Sequence, residues 1–271
     1  MKSHGITGGG SVQLHVLETG NPLARPILFI HGFSQCSLSW HRQLVSDLAV
    51  DFRLVAIDLR GHGRSDKPRG AYSDSKLWAD DLNAVINTLR LENPLLCCWS
   101  YGLTLLDYIR HYGTDSIAAI HLVGAISKLG SDDALSVITP EALASVPGLF
   151  VTDVAESVRN LEAFIRMLYA RPLSSEDLYM MLGYNVAVPP YVRQALFSRI
   201  VDNDDVLAKI RKPVLITHGK QDAVVKLDAV DRHKALMPHA EVDIMPTAGH
   251  APFWDDAEAF NRRLRTFVDS L

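Results

Sequence analysis

The chain has 271 residues, of which 48% are hydrophobic and 21% charged, and its formal net charge at pH 7 is −4. This composition predicts a globular protein with one large domain, or one domain that carries an insertion. The weak negative charge offers no positive field to nucleic acid or to an anionic membrane surface, so we expect neither as a partner.

The termini and the cysteines suggest a compartment. Residues 1–10 lack the apolar segment of a signal peptide, and no apolar stretch approaches the roughly 18 residues that a membrane span requires. The three cysteines, Cys36, Cys97 and Cys98, follow no disulfide or metal-binding spacing. We therefore expect a cytoplasmic protein that acts on a small molecule.

Short apolar segments recur along the chain and predict strands. Residues 3–5 are expected to be mobile coil, whereas residues 12–16 alternate apolar and polar side chains like a half-exposed strand. Continuous apolar runs then follow at residues 27–30, 54–57, 95–99, 118–123 and 214–217. Runs without alternation are typical of strands that are buried on both faces, which indicates a parallel sheet covered by helices.

Helical patterns lie between these runs. Apolar stripes at residues 78–89 and 260–271 predict two helices, and Ser73 and Asp74 are candidate caps of the first. Strands that alternate with helices predict the α/β class: a mostly parallel central sheet flanked by helices.

One long segment interrupts the alternation. Residues 126–205 are rich in Leu, Met and aromatic residues at helical spacing and contain no buried-strand run. A single crossover rarely needs so many residues. We therefore predict a helical cap insertion at 126–205 on a core domain that is formed by residues 1–125 and 206–271.

Ser100 stands where an apolar run ends and a helical pattern begins. Such a strand-to-helix turn lifts a serine Oγ out of the sheet, and its usual sequence is Gly-x-Ser-x-Gly. Residues 98–102 read CWSYG, so Cys98 replaces the first glycine. The motif alone is compatible with a nucleophile and with an ordinary serine that caps the next helix.

Two other residues bring Ser100 into a chemical pattern. Asp222 and His250 also follow strand-like segments, and functional groups gather at the carboxyl edge of a parallel sheet. Serine, aspartate and histidine in this chain order suit acyl transfer, because the imidazole removes the serine proton and the carboxylate orients the ring. The backbone N–H groups of Phe33 and Tyr101 are the expected oxyanion donors.

Other residues are weaker candidates for the nucleophile and the acid. Ser34 belongs to residues 32–36 (GFSQC), which keep the first glycine of the motif but lose the second. Asp132 and Asp133 follow the sixth predicted strand and compete with Asp222 as the acid. The eleven histidines show no paired metal-ligand spacing, so we expect neither a metal nor a cofactor.

Several motifs in a fixed order give the sequence a family resemblance. They are residues 31–33 (HGF) with Trp40, residues 58–66 (DLRGHGRSD), the Ser100 turn, residues 219–222 (GKQD) and residues 249–253 (GHAPF). Together they resemble the α/β-hydrolase superfamily, in its serine-nucleophile, esterase-like branch. The resemblance implies a catalytic triad of Ser100, Asp222 and His250, and mainly structural roles for His31 and residues 58–66. It also implies a monomer or a homodimer.

The resemblance leaves several activities open. Serine members include esterases, lactonases, C–C bond hydrolases, aminopeptidases, and perhydrolases or haloperoxidases, and some relatives are small-molecule receptors with little turnover. We expect a hydrolase of small to medium, largely apolar carboxylic esters that works through an acyl-enzyme. The predicted substrate pocket is formed by aromatic residues that flank the motifs: Phe33, Trp40, Trp99, Tyr101 and Phe253.

An aminopeptidase would need an acid in the cap to hold the ammonium group of its substrate. The candidate acids are Glu141, Glu156, Glu162 and Glu176.

Overall fold

A central eight-stranded sheet organises the computed structural model, which describes residues 1–271. The strands in chain order are β1 (Lys2–Thr7), β2 (Gln13–Gly20), β3 (Pro26–Ile30), β4 (Arg53–Ile57), β5 (Leu95–Trp99), β6 (Ala119–Val123), β7 (Lys128–Leu129), β8 (Val201–Asp202), β9 (Val214–Gly219) and β10 (Glu241–Met245). The order across the sheet is β1-β2-β4-β3-β5-β6-β9-β10. All pairs from β4 to β10 are parallel, whereas β2 pairs antiparallel with both β1 and β4.

The first strand corrects one expectation. Residues 3–5 are not coil, because they lie in β1, where Ser3 is paired with Leu17 of β2. Ile6 is the only buried residue of this edge strand. An edge strand with one buried side chain has no apolar run, so the sequence pattern could not indicate it.

Helices cover both faces of the sheet. They are α1 (His41–Leu44), α2 (Leu48–Asp51), α3 (Ser75–Thr88), α4 (Leu103–Tyr112), α5 (Asp132–Leu135), α6 (Pro140–Ser145), α7 (Val154–Met167), α8 (Ser175–Val186), α9 (Pro190–Phe197), α10 (Asp204–Leu207), α11 (Asp228–Leu236), α12 (Pro252–Asp255) and α13 (Ala257–Asp269). Asp74, one of the two residues predicted to cap the N-terminus of α3, is its N-cap residue and accepts a hydrogen bond from the backbone N–H of Lys76. No helix is both long and apolar enough to cross a membrane.

The sheet separates two apolar cores. Successive strand residues point to opposite faces, so the continuous apolar runs supply both cores. On one face, Leu28 and Leu96 belong to a core that includes α3 and α4. On the other face, Phe29 and Cys97 belong to a core that includes α13 and parts of α7 and α8. This arrangement confirms the predicted α/β fold with its mostly parallel sheet.

The segment between β6 and β9, where the helical cap insertion is predicted, is mainly helical. It contains α5 to α9, and α7 packs against α8. The two-residue strands β7 and β8 pair antiparallel, which joins the beginning of this segment to its end. The exact division into 126–205 and the flanking core residues stays a prediction.

Candidate active site

The turn after β5 holds Ser100 in an unusual backbone conformation. Its φ angle is 57°, in the left-handed region that residues other than glycine rarely occupy. The Ser100 N–H donates to the Val123 carbonyl at 2.9 Å, and the Ser100 carbonyl accepts from the Ile126 N–H at 2.8 Å. Because α4 begins at Leu103, the chain changes from strand to helix within three residues.

Glycine relieves close contacts at two positions around this turn. A Cβ atom at Gly32 would lie 2.9 Å from the Ser100 Cβ, and one at Gly102 would lie 3.0 Å from the Ile126 carbonyl oxygen. Cys98, where the usual motif has glycine, is fully buried, with its Sγ 3.8 Å from the Tyr101 carbonyl oxygen. The turn therefore accommodates a small thiol at this position.

Ser100, His250 and Asp222 meet at the carboxyl edge of the sheet. The His250 Nε2 lies 2.8 Å from the Ser100 Oγ, and the His250 Nδ1 lies 2.8 Å from the Asp222 Oδ2. A carboxylate only accepts hydrogen bonds, so we assign the imidazole proton to Nδ1 and the accepting lone pair to Nε2. In this tautomer Nε2 can remove the serine proton.

The side chain of Asp222 is buried and remains an anion. Its Oδ1 accepts hydrogen bonds from the backbone N–H groups of Val224, at 2.7 Å, and Val225, at 2.8 Å. Burial alone would raise the pKa of this carboxyl, but the adjacent imidazoles of His250 and His218 hold the pKa well below its usual value. The carboxylate can therefore stabilise an imidazolium at His250.

The loop that carries His250 is fixed by the core and by the cap. The Trp99 indole Nε1 donates to the His250 carbonyl at 2.7 Å. The Ala251 N–H donates to the carbonyl of Leu168, which follows the last residue of α7, at 3.0 Å. These contacts hold the imidazole ring beside Ser100.

Two backbone N–H groups are free next to Ser100. Phe33 and Tyr101 line the same cavity as Ser100, and neither N–H donates to a backbone carbonyl. His31 fixes the loop before Phe33, because its Nε2 accepts from the Leu59 N–H at 3.0 Å. Burial lowers the pKa of His31 to about 4, so this imidazole stays a neutral acceptor.

The cavity in front of Ser100 is lined mainly by apolar side chains. Phe33, Trp99 and Tyr101, three of the predicted pocket residues, line it from the core. The insertion contributes further lining residues, among them Ile138, Val146, Leu149, Phe164, Leu168 and Phe197. No carboxylate and no Lys or Arg side chain lines the cavity.

The structure corrects the predicted pocket at two positions. Trp40 and Phe253 do not line the cavity, because both side chains are fully buried and pack against each other with ring centroids 4.1 Å apart. Phe253 also contacts the edge of Trp99, whose ring centroid lies 4.9 Å away. The two rings therefore support the floor of the site, one layer below the substrate space. Their closeness to motif residues in the sequence does not reveal this direction.

The residues that the sequence offers as alternatives to Ser100 and Asp222 do not belong to this site. The buried Ser34 hydroxyl makes no hydrogen bond, and no imidazole contacts it. Asp133 is exposed and forms ion pairs with Lys128 and Arg232. Neither group has the environment that the proposed chemistry needs.

Sequence reasoning named no cap residue as part of the pocket. Phe164 and Leu168 are one helical turn apart, and Leu161 and Ile165 continue the same apolar pattern on α7. This spacing is a signal for a buried helix face. It does not indicate which of these side chains reach the cavity, because that depends on how α7 lies over the sheet.

Comparison with known proteins identifies the family of the chain. A family model of the alpha/beta hydrolase fold matches residues 25–257. The solved structure of an esterase from Rhodococcus sp. ECU1013 superposes with a TM-score of 0.95 and 36% sequence identity, with 100% of each chain covered. An AB hydrolase superfamily protein of Bacillus subtilis is 28% identical, over 98% of this chain and 99% of its own. A bifunctional esterase/perhydrolase of Acinetobacter calcoaceticus is 27% identical, with 98% and 99% covered.

The chain therefore belongs to the α/β-hydrolase superfamily. Within this superfamily it is a serine α/β hydrolase with esterase-like relatives.

Proposed function

We propose that the protein hydrolyses carboxylic esters of small to medium, largely apolar and uncharged substrates. The observation that carries this proposal is the pair of 2.8 Å contacts from Ser100 to His250 and from His250 to Asp222, at the wall of an apolar cavity.

The reaction begins with proton transfer and attack. The Ser100 Oγ bonds to the ester carbonyl carbon while His250 Nε2 takes its proton, and Asp222 stabilises the imidazolium. The carbonyl oxygen becomes an oxyanion, which accepts hydrogen bonds from the backbone N–H groups of Phe33 and Tyr101. When the tetrahedral intermediate collapses, the alkoxide leaves with the proton from His250, and an acyl-Ser100 ester remains.

Hydrolysis of the acyl-enzyme repeats these roles. A water molecule gives a proton to His250 Nε2 and attacks the acyl carbon. Collapse of the second tetrahedral intermediate releases the carboxylic acid, and Ser100 recovers its proton from His250. The same residues serve both half-reactions, so no further catalytic group is required.

The charge of the cavity favours a neutral ester over an ionic substrate. An ammonium or a carboxylate in this apolar space would lose its hydration without an opposite charge to replace it. None of the four cap acids that could hold a substrate ammonium, Glu141, Glu156, Glu162 and Glu176, lines the cavity. This arrangement supports an esterase over an aminopeptidase.

A screen of p-nitrophenyl esters of increasing chain length tests the proposal. We expect multiple turnovers by the wild type, and a loss of at least about 1,000-fold in kcat/KM for Ser100→Ala, because the acyl-enzyme cannot form. A fluorophosphonate should label the wild type at Ser100 and leave the variant unlabelled. A folded wild type that neither turns over any ester nor becomes labelled would refute the assignment. Labelling without turnover would instead indicate a receptor.

Perhydrolysis is a second candidate, favoured by the similarity of the chain to the bifunctional esterase/perhydrolase of Acinetobacter calcoaceticus. Hydrogen peroxide would replace water in the second half-reaction and release a peracid from the same acyl-Ser100. Peracid formation from an acetate ester and hydrogen peroxide, lost in Ser100→Ala, would support this activity. Equal peracid formation by both proteins would exclude it.

A further inference from the structure

A second histidine contacts the carboxylate of the predicted triad. His218 is the fifth residue of β9 and is buried. Its Nε2 lies 2.9 Å from the Val225 carbonyl oxygen and 3.1 Å from the Asp222 Oδ2. This Oδ2 is the same oxygen that the His250 Nδ1 contacts at 2.8 Å.

These distances determine which ring nitrogen of His218 carries a proton. Both neighbours of Nε2 are oxygen atoms that only accept hydrogen bonds, namely a backbone carbonyl and an ionised carboxylate. A bare lone pair on Nε2 would face two other lone pairs at close range. We therefore assign the proton to Nε2, which donates to Val225 and directs its positive end towards Asp222 as well.

We propose that His218 is a positioning residue of the hydrolase: through its Nε2–H it shares the Asp222 Oδ2 with His250, and so it fixes the carboxylate and limits how strongly Asp222 attracts the proton of His250. This role rests on the proposed function, because it matters only where His250 acts as the base.

The surroundings of Asp222 suit this role. The two backbone N–H groups of Val224 and Val225 occupy Oδ1, and Oδ2 is bonded by the His250 Nδ1 and faces the His218 Nε2 at 3.1 Å. With four donors around it, the carboxylate has little freedom to rotate. Removal of His218 would leave the negative charge of Oδ2 to His250 alone.

The other titratable groups nearby remain neutral or distant from the triad. His233 of α11 faces His218, and its Nε2 lies 3.1 Å from the Ser127 Oγ. Burial, with His218 and Arg232 nearby, lowers the pKa of His233 to about 4, so it carries no charge where the enzyme would work. The titratable groups that contact Asp222 directly are His218 and His250.

Loss of the His218 donor should move the pH profile of the enzyme in one direction. A carboxylate that is shared less with His218 stabilises the imidazolium of His250 more strongly. Because only neutral His250 can act as a base, the acid limb of the pH profile of kcat/KM should move to higher pH when the donor at position 218 is lost. A purely structural histidine would change the amount of folded protein and leave the limb where it is.

Three variants test this shift. His218→Met removes the donor and should move the acid limb upward by about half a pH unit to one unit, the scale of one typical net hydrogen bond. His218→Gln restores an N–H and should bring the limb back towards that of the wild type. The matched control is His121→Met, because His121 is a buried histidine of the adjacent strand that bonds Thr217 and does not contact Asp222. Rates are normalised to the fraction of enzyme that fluorophosphonate labels.

The proposal would be overturned if the acid limb of His218→Met stayed where it is in the wild type. It would also be overturned if His121→Met shifted the acid limb equally, or if His218→Gln did not return it towards the wild-type position. If His218→Met fails to fold, ¹⁵N-histidine NMR of the wild type decides the question without any turnover. We expect a resonance for His218 that is protonated at Nε2. Protonation at Nδ1 alone would refute the proposal, whether or not the protein proves to be an esterase.

Discussion

Ser100 combines reactive chemistry with a backbone conformation that is unfavourable for serine. A residue other than glycine in the left-handed region typically costs about 1–3 kcal/mol, and such residues concentrate at functional sites. The hydrogen bonds of Ser100 with Val123 and Ile126 hold the turn in place against this cost. Some of the stability of the fold is therefore given up to present the Oγ to His250.

This strain leads to a comparison of two inactive variants. Ser100→Gly and Ser100→Ala both lose the hydroxyl that contacts His250, but only glycine adopts a φ of 57° without strain. We expect Ser100→Gly to have a free energy of unfolding about 1 kcal/mol higher than Ser100→Ala. Urea denaturation of both proteins measures this difference. Equal stabilities would mean that the turn is not strained.

Cys98 allows a second test at the residue scale. Its side chain is fully buried beside the turn, and its thiol is small. We expect Cys98→Gly to keep activity, because it restores the usual motif. Cys98→Leu should lose folded protein, because overpacking of a core costs about 1–3 kcal/mol. Soluble yield and circular dichroism report the fold, and loss of activity in a folded Cys98→Gly protein would reveal an unrecognised role of the thiol.

At the scale of elements, α7 and the residue that follows it contribute two apolar side chains to the cavity wall. Phe164 and Leu168 line the cavity, and Leu161 on the same helix is buried without reaching it. We expect Phe164→Ala to raise kcat/KM for p-nitrophenyl octanoate relative to the butyrate by about tenfold, because space for one or two more methylene groups is worth 1–3 kcal/mol. Leu161→Ala is the matched control and should leave this ratio unchanged. A ratio that changes equally in both variants would show that the effect is general loosening of the cap.

The sequence revealed the elements that are buried on both faces. The runs of β3, β4, β5, β6 and β9 were recognisable because every residue in them is apolar or buried. The edge strand β1 was expected to be coil, and the strand-like segment of β10 is not a continuous apolar run, because Met245 is its only buried residue. Pairing to a neighbouring strand stabilises both edges, and pairing leaves no mark in a local hydrophobic pattern.

The candidate site could likewise be predicted only in part from the sequence. Ser100, Asp222 and His250 could be proposed together because the ends of parallel strands share one edge of a sheet. The partner role of His218 and the cavity residues Phe164 and Leu168 could not, because they depend on side-chain directions across the tertiary structure. Trp40 and Phe253 were predicted to line the pocket because they lie near the motifs in the sequence, but their side chains point into the core.

The whole molecule should depend on pH through buried carboxylates. Asp58 accepts hydrogen bonds from the Ser37 and Arg64 N–H groups, at 2.7 and 2.9 Å, and from His15 at 2.9 Å. Burial alone would raise the pKa of Asp58, but these hydrogen bonds, with that of His15 foremost, hold it well below its usual value. The pKa of Asp222 is lowered in the same direction.

A lowered pKa in the folded state means that the unfolded chain binds protons first as the pH falls. The stability that Asp58 and Asp222 contribute should therefore be complete above about pH 5 and decrease progressively below it. Urea denaturation between pH 7 and pH 3 measures this decrease. Asp58→Asn should be less stable at pH 7 and show a shallower loss towards acid. A wild-type stability that is constant over this range would contradict the expectation.

The hydrogen bond from the Ala251 N–H to the Leu168 carbonyl has a consequence for protein engineering and for divergence within the superfamily. Caps are attractive segments to exchange between relatives, since they line the substrate space. Here, however, the end of α7 also holds the loop of His250 through this hydrogen bond. A transplanted cap would therefore change the contact that positions His250 as well as the lining of the cavity. A chimera should therefore retain residues 168–170 and 249–255 from the same parent, because a cap that is changed without its matching loop would alter catalysis as well as specificity.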